Sequence, residues 1–139
     1  MTNQDEDPKT QLARSLADRK KQFQRQLTEA VSRTASDPAG ALLRLEQCHI
    51  ETDKLEKDEA AFLGRMGEWG LQQLPSATKA WKEIRLQILF GKAQGLLLLG
   101  HYDDAQSAIE AARPYVAGPD HPAGAMMDEL ELAILQAKA

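Results

Sequence analysis

The sequence predicts an all-α fold, an antiparallel helical bundle or short helical-repeat array of about five to six helices. Three observations lead there. Ala, Leu, Glu, Gln, Lys and Arg dominate, while Val, Ile, Tyr, Phe and Trp are scarce, which favours helix over strand. Apolar residues recur at three- and four-residue spacings, and no stretch alternates apolar with polar residues as a half-buried strand does. Prolines and several glycines fall between these periodic segments, where helices start and stop.

The chain has 139 residues, of which 42% are hydrophobic and 27% charged, enough apolar side chain to bury a core in one domain. Residues 1–7 are polar and acidic and are expected to be a disordered tail. Residues 8–139 are expected to form a single helical domain. Residues 8–35 read as an amphipathic N-terminal helix, with Leu12, Leu16, Phe23, Leu27 and Val31 on one face. Arg19 and Lys20 interrupt that stripe, and their long stems can cover apolar surface while their charges reach water. Docking onto the domain is the favoured role of this helix, and pairing with a second copy is the alternative.

Ser36-Asp37-Pro38 is a stop-and-restart signal, with Ser36 or Asp37 as cap and Pro38 in the first turn. Leu42, Leu43, Leu45, His49 and Ile50 are then expected to supply a buried stripe. From Glu51 to Glu59 the only apolar residue is Leu55, yet neither Gly nor Pro interrupts, so the helix is expected to continue. Phe62, Leu63, Met66, Trp69 and Leu74 resume the pattern. Gly64, Gly67 and Gly70 recur within it, and are read as the site of a close helix approach or a loose segment. They are no phosphate loop, because no Lys-Ser or Lys-Thr follows.

Pro75-Ser76 is expected to break the chain, and a strongly apolar helix to run from about Ala77 to Leu99. Trp81, Ile84, Ile88 and Leu99 form one stripe, with Leu86, Phe90, Ala93 and Leu97 nearly opposite. A helix apolar on most of its circumference is buried between neighbours. Gly100 ends it. Tyr102-Asp103-Asp104 opens the next helix, where acids complement the helix dipole. Ala105, Ala108, Ile109 and Ala112 give that helix a small-residue face, and Pro114 ends it. Ala117 to His121 reads as a turn, Pro122 as a helix start, and Met127, Leu130 and Ile134 as the buried side of a last helix.

The residues from about 80 to 119 resemble one tetratricopeptide repeat, carried by Ala93, Leu96 through Gly100, Tyr102, Ala105, Ile109, Ala112 and Pro119. The resemblance implies a tetratricopeptide-like C-terminal half, with a hairpin and a capping helix over residues 77–139. It further implies an adaptor, scaffold or chaperone-like role, with a groove lined by the first helix of each hairpin. Phe90, Gln94 and Leu97 are the binding residues it points to.

The remaining residues argue against chemistry. Cys48 stands alone, which excludes an internal disulfide and fits a reducing compartment such as the cytoplasm. The N-terminus lacks the basic and apolar regions of a signal peptide, and the longest apolar run, Leu96 to Leu99, is too short for a membrane span. No two of His49, His101 and His121 have the spacing of a helical metal site, so no metal or cofactor is expected. Cys48 and His49 are neighbours pointing different ways. The net charge is −4, but residues 8–35 carry seven basic residues against two acidic, and residues 80–139 five basic against eight. That bias is read as solvated faces or an electrostatic handle. Without interleaved aromatics or a recognition-helix motif it makes a weak case for nucleic acid.

The leading expectation is therefore a non-enzymatic module that binds a peptide or helix of a partner protein. Self-association through the N-terminal helix comes second. A nucleic-acid-binding regulator, or a small enzyme using Cys48, His49 and the Trp69 region, ranks last.

Overall fold

The computed structural model describes residues 7–116 and 121–139. Five helices follow one another: α1 (Pro8–Ser32), α2 (Pro38–Gly64), α3 (Gly67–Leu98), α4 (Tyr102–Ala112) and α5 (Pro122–Lys138), with a 3-10 turn at Arg113–Tyr115. Consecutive helices pack against each other, and α3 lies at the centre, touching all the others. The expectations for residues 1–6 and for the turn at 117–120, Pro119 included, fall outside the described residues.

Local chemistry sets most boundaries. The Asp7 carboxylate accepts the Thr10 N–H at 2.8 Å and caps α1, so Asp7 belongs to the helix rather than to the tail. Asp37 does the same for α2 through Gly40 N–H at 3.1 Å. Gly100, at φ +80°, ends α3 in a Schellman arrangement. His101 N–H bonds to Leu96 C=O at 2.9 Å, and Gly100 N–H to Leu97 C=O at 3.1 Å. Pro122 occupies the first turn of α5, whose cap is the His121 ring.

The corner between α2 and α3 corrects the sequence reading. The chain turns at Arg65–Met66, not at Pro75-Ser76, and Pro75 lies inside α3. Gly67 adopts φ +69°, the left-handed region open to glycine. At Gly70 a Cβ would stand 1.8 Å from the Leu63 carbonyl oxygen, so the two helix ends meet backbone to backbone. The glycines thus build a corner rather than one face of a continuous helix. Pro75 denies the Leu71 carbonyl its usual N–H donor, but Leu71 is exposed, where water substitutes. The tertiary contacts of both α3 halves keep the helix running through a position that local propensity would break.

Two clusters form the core, one on each side of α3. Leu16, Phe23 and Leu27 of α1, Leu45, Cys48 and Leu55 of α2, and Trp81 and Ile88 of α3 make the first. Leu86, Leu89 and Ala93 of α3 pack with Ala105, Ile109 and Ala112 of α4 and Met127, Leu130 and Ile134 of α5 in the second. The two expected stripes of α3 therefore serve two different sets of helices, except that Leu99 is exposed. The α2 stripe is corrected: Ala41, Leu45, Cys48, Thr52, Leu55, Glu59 and Leu63 face inward, whereas Leu43 and Ile50 are solvent-exposed. Trp69, Leu132 and Leu135 are likewise exposed.

The Glu51–Glu59 stretch is continuous helix, as expected, and its acids reach across to neighbouring helices. Arg19 of α1 pairs with Asp58 at 2.8 Å and Glu51 at 3.5 Å. Arg85 of α3 pairs with Asp53 at 2.7 Å and with Glu56. Burial opposes the Arg85 charge, but hydrogen bonds to Asp53 and Glu56 outweigh it and hold the guanidinium more firmly protonated. Lys92–Glu46 and Arg44–Glu29, each at 2.6 Å, extend the same cross-helix pattern.

Candidate functional site

A groove of about 580 Å³ opens along one side of α3. Its floor is the α3 stripe Gln87, Phe90 and Gln94, whose spacings of three, four and seven put them on one face. One wall is Val31 at the end of α1, and the other is Pro122, Ala123 and Met126 at the start of α5. Thus α1, α3 and α5 line it, while α2 and α4 stand behind. Phe90 is half-buried, packing on the second core cluster while its other side meets the groove. Met126, 52% exposed, adds a flexible apolar side chain to the α5 wall.

Polar groups fix one rim. The His121 Nδ1 accepts the Ala123 N–H at 3.0 Å, which caps α5 and leaves the hydrogen on Nε2. Nε2 then donates to Glu83 Oε1 at 2.8 Å, tying the start of α5 to α3. The two amides of Gln87 and Gln94, each offering donors and an acceptor, flank the Phe90 ring. The groove can therefore grip a guest by apolar contact and orient it by hydrogen bonds.

Of the three expected binding residues, Phe90 and Gln94 lie in this groove. Leu97 does not line it: its side chain packs against the second core cluster. Val31, Gln87, His121 and Met126 were not expected from sequence to belong to a binding site. Gln87 shares the Phe90–Gln94 spacing and was legible in principle, but the α1 and α5 residues join only through the fold.

The residues considered for catalysis are placed apart. Cys48 is 3% exposed, and burial pushes its thiol above the ordinary range, away from the reactive thiolate. A hollow of about 260 Å³ touches Cys48, and the Arg44–Glu29 ion pair is part of its lining. His49 lies half-buried on α2, with a buried Nδ1 that has no hydrogen-bond partner. Trp69 is exposed at the far end of α3, and Cys48 lies sixteen residues before the end of α2, about 24 Å along the axis. No group of three or more His, Cys, Asp or Glu among the described residues could hold a metal ion.

Glu59 is the most enclosed charge in the first cluster, at 8% exposure. Its Oε1 accepts the Trp81 indole N–H at 2.9 Å, and its Oε2 meets Lys20 Nζ at 2.6 Å. Lys20 Nζ also stands 5.8 Å from the Trp81 ring centroid, and Phe23 packs on Trp81 with ring centroids 6.0 Å apart. This network joins α1, α2 and α3 and leaves neither carboxylate oxygen unpaired. It is structural in character, since the surrounding side chains saturate it.

Among the described residues no helix is long and apolar enough to cross a membrane. Compared with known proteins, the chain matches no family model, no curated protein and no solved structure.

Proposed function

We propose that this chain is a protein–protein interaction module of tetratricopeptide-like character, binding a peptide or helix of a partner protein in the groove between α1, α3 and α5. The observation that carries this reading is the groove itself: open, largely apolar, floored by Phe90 with a Gln amide on either side, and lined by every second helix. A stack of helical hairpins presents its first helices on one surface in the same way. Action by binding rather than catalysis fits the inert Cys48 and the saturated Glu59. A reducing, cytoplasmic setting fits a lone buried thiol. Self-association through α1 loses its main support, because Leu16, Phe23 and Leu27 are spent on the first cluster, leaving Leu12 exposed.

A photocrosslinking amino acid placed in turn at Gln94, Met126 and Leu43 tests this in the native host cell. The same partner protein is expected on Gln94 and Met126, with no adduct at Leu43 on the outer face of α2. Phe90→Ala is expected to weaken capture about tenfold or more, as loss of a buried aromatic anchor does. Equal labelling at all three positions, or capture indifferent to Phe90→Ala, would refute the groove as the binding site.

A further inference from the structure

The face of α3 that α4 covers does not stop where α4 stops. Leu89, Ala93 and Leu96 belong to the cluster that α4 helps to build. Eighteen residues make five turns of an α-helix, so Leu71, Pro75 and Thr78 lie on the same side of α3, nearer its start. The 11 residues of α4 span about 16 Å against roughly 48 Å for the 32 of α3. Beyond the end of α4 no helix among the described residues covers this face at Leu71, which is 57% exposed. Leu71, Leu74, Pro75 and Thr78, with Tyr115 at one end, border a second hollow of about 600 Å³.

Its rim carries more cations than acids. Farther along α3, Arg85 and Lys92 are each held by carboxylates of α2. Lys79 and Lys82, on the rim of the second hollow, have no acidic partner among the described residues. Glu83 lies on the same rim, and its hydrogen bond from the His121 ring, whose Nδ1 is already an acceptor, does not cancel its charge. A chain of net charge −4 therefore presents, beside an apolar strip, a rim on which two ammonium groups face one carboxylate.

We propose that this half-face of α3 is a second docking site, which takes an acidic amphipathic α-helix of a partner protein. The helical form follows from α4, whose Ala105, Ala108 and Ala112 face packs on the continuation of the same strip. A helix laid end to end with α4 would place small or apolar residues on Leu71 and Leu74, and carboxylates on Lys79 and Lys82. The site lies on a different side of α3 from the Phe90–Gln94 groove, and Glu83 borders both.

Three synthetic helical 15-residue peptides test the proposal by fluorescence anisotropy against the full chain. They share one Leu/Ala stripe and differ in flanks of Glu, Gln or Lys. The Glu peptide is expected to bind about tenfold tighter than the other two, with affinity falling as salt rises. The exposed double variant Lys79→Glu/Lys82→Glu, its fold checked by circular dichroism, should reverse the preference towards the Lys peptide. Phe90→Ala should leave binding of the Glu peptide unchanged. No binding of the Glu peptide, no preference among flanks, or no response to the double variant overturns the proposal. Loss on Phe90→Ala also overturns it, and assigns the peptide to the other groove. Concentration-dependent dimers abolished by the double variant would overturn it in favour of a second copy of this chain.

Discussion

Replacing Glu59 by Ala should destabilise the fold by about 2–4 kcal/mol, and the partition of that loss is the informative part. Trp81 is 2% exposed, so its indole N–H, now without the 2.9 Å acceptor, stays buried and unsatisfied. An orphaned buried donor costs about 1–3 kcal/mol. The lost methylenes and carboxyl leave a partly filled void among three helices, contributing about 1 kcal/mol more. Lys20 contributes little, because its side chain is 45% exposed and its ammonium can return to water. Glu59→Gln therefore separates the two roles. It keeps an acceptor for Trp81 but turns an amide NH2 towards Lys20, whose half-exposed ammonium can swing into water, so its cost should stay below about 1 kcal/mol. Urea unfolding followed by circular dichroism at 222 nm gives both values, with equal denaturant slopes required for the comparison. The reasoning fails if the Gln variant loses as much as the Ala variant, which would put the stabilisation in the ion pair. It fails equally if the Ala variant lies within about 0.5 kcal/mol of the parent.

Two further expectations follow from the corner and from the surface acids. Gly70→Ala should cost several kcal/mol, on the order of 3, since the added Cβ meets the Leu63 carbonyl and only a backbone shift relieves it. Gly64→Ala, with nothing within 4 Å of the new Cβ, should be neutral or stabilising by up to about 1 kcal/mol. Thermal melts of both variants check the pair, and a Gly70→Ala protein as stable as the parent would refute the corner. Stability should also fall on acidification. Hydrogen bonds from Arg44, Lys92 and Lys138 hold the Glu29, Glu46 and Asp103 carboxyls below their ordinary values of 4.5, 4.5 and 3.8. Groups with depressed folded pKa values stabilise above their unfolded values and cease to as pH falls through the folded ones. The urea midpoint should thus be level for these groups from pH 7 to about 5, then decline below. A midpoint rising between pH 5 and 3 would contradict the assignment.

The legible parts of the fold were those whose cause is local. Asp37 with Pro38, Gly100 with Tyr102, and His121 with Pro122 mark helix ends because capping and backbone geometry involve only a few neighbouring residues. The inward faces of α1, α4 and α5 were legible because each packs mainly on one side. The α2 stripe was not, because a helix between two neighbours mixes apolar and ionic contacts on its inner side. Glu59 is buried there while Leu43, the more apolar residue, is 71% exposed. Of the candidate site, Phe90 and Gln94 were visible, because the repeat resemblance points to that side of a single helix. Leu97 was misplaced because, although it shares the Phe90 side of α3, it lies beyond the end of the groove, where it packs on the second cluster.

By itself, then, the sequence determined an all-helical chain, its caps, its Schellman turn and the small-residue face of α4. Those features depend on propensities and hydrogen bonds that close within one or two turns. Only the tertiary structure decided that the chain turns at Arg65–Met66 and runs straight through Pro75. It also decided which acids of α2 reach α1 and α3, and that Val31, Phe90 and Met126 share a groove. Each of these depends on what a neighbouring helix places opposite, and packing across helices outweighs a local preference of a few kcal/mol.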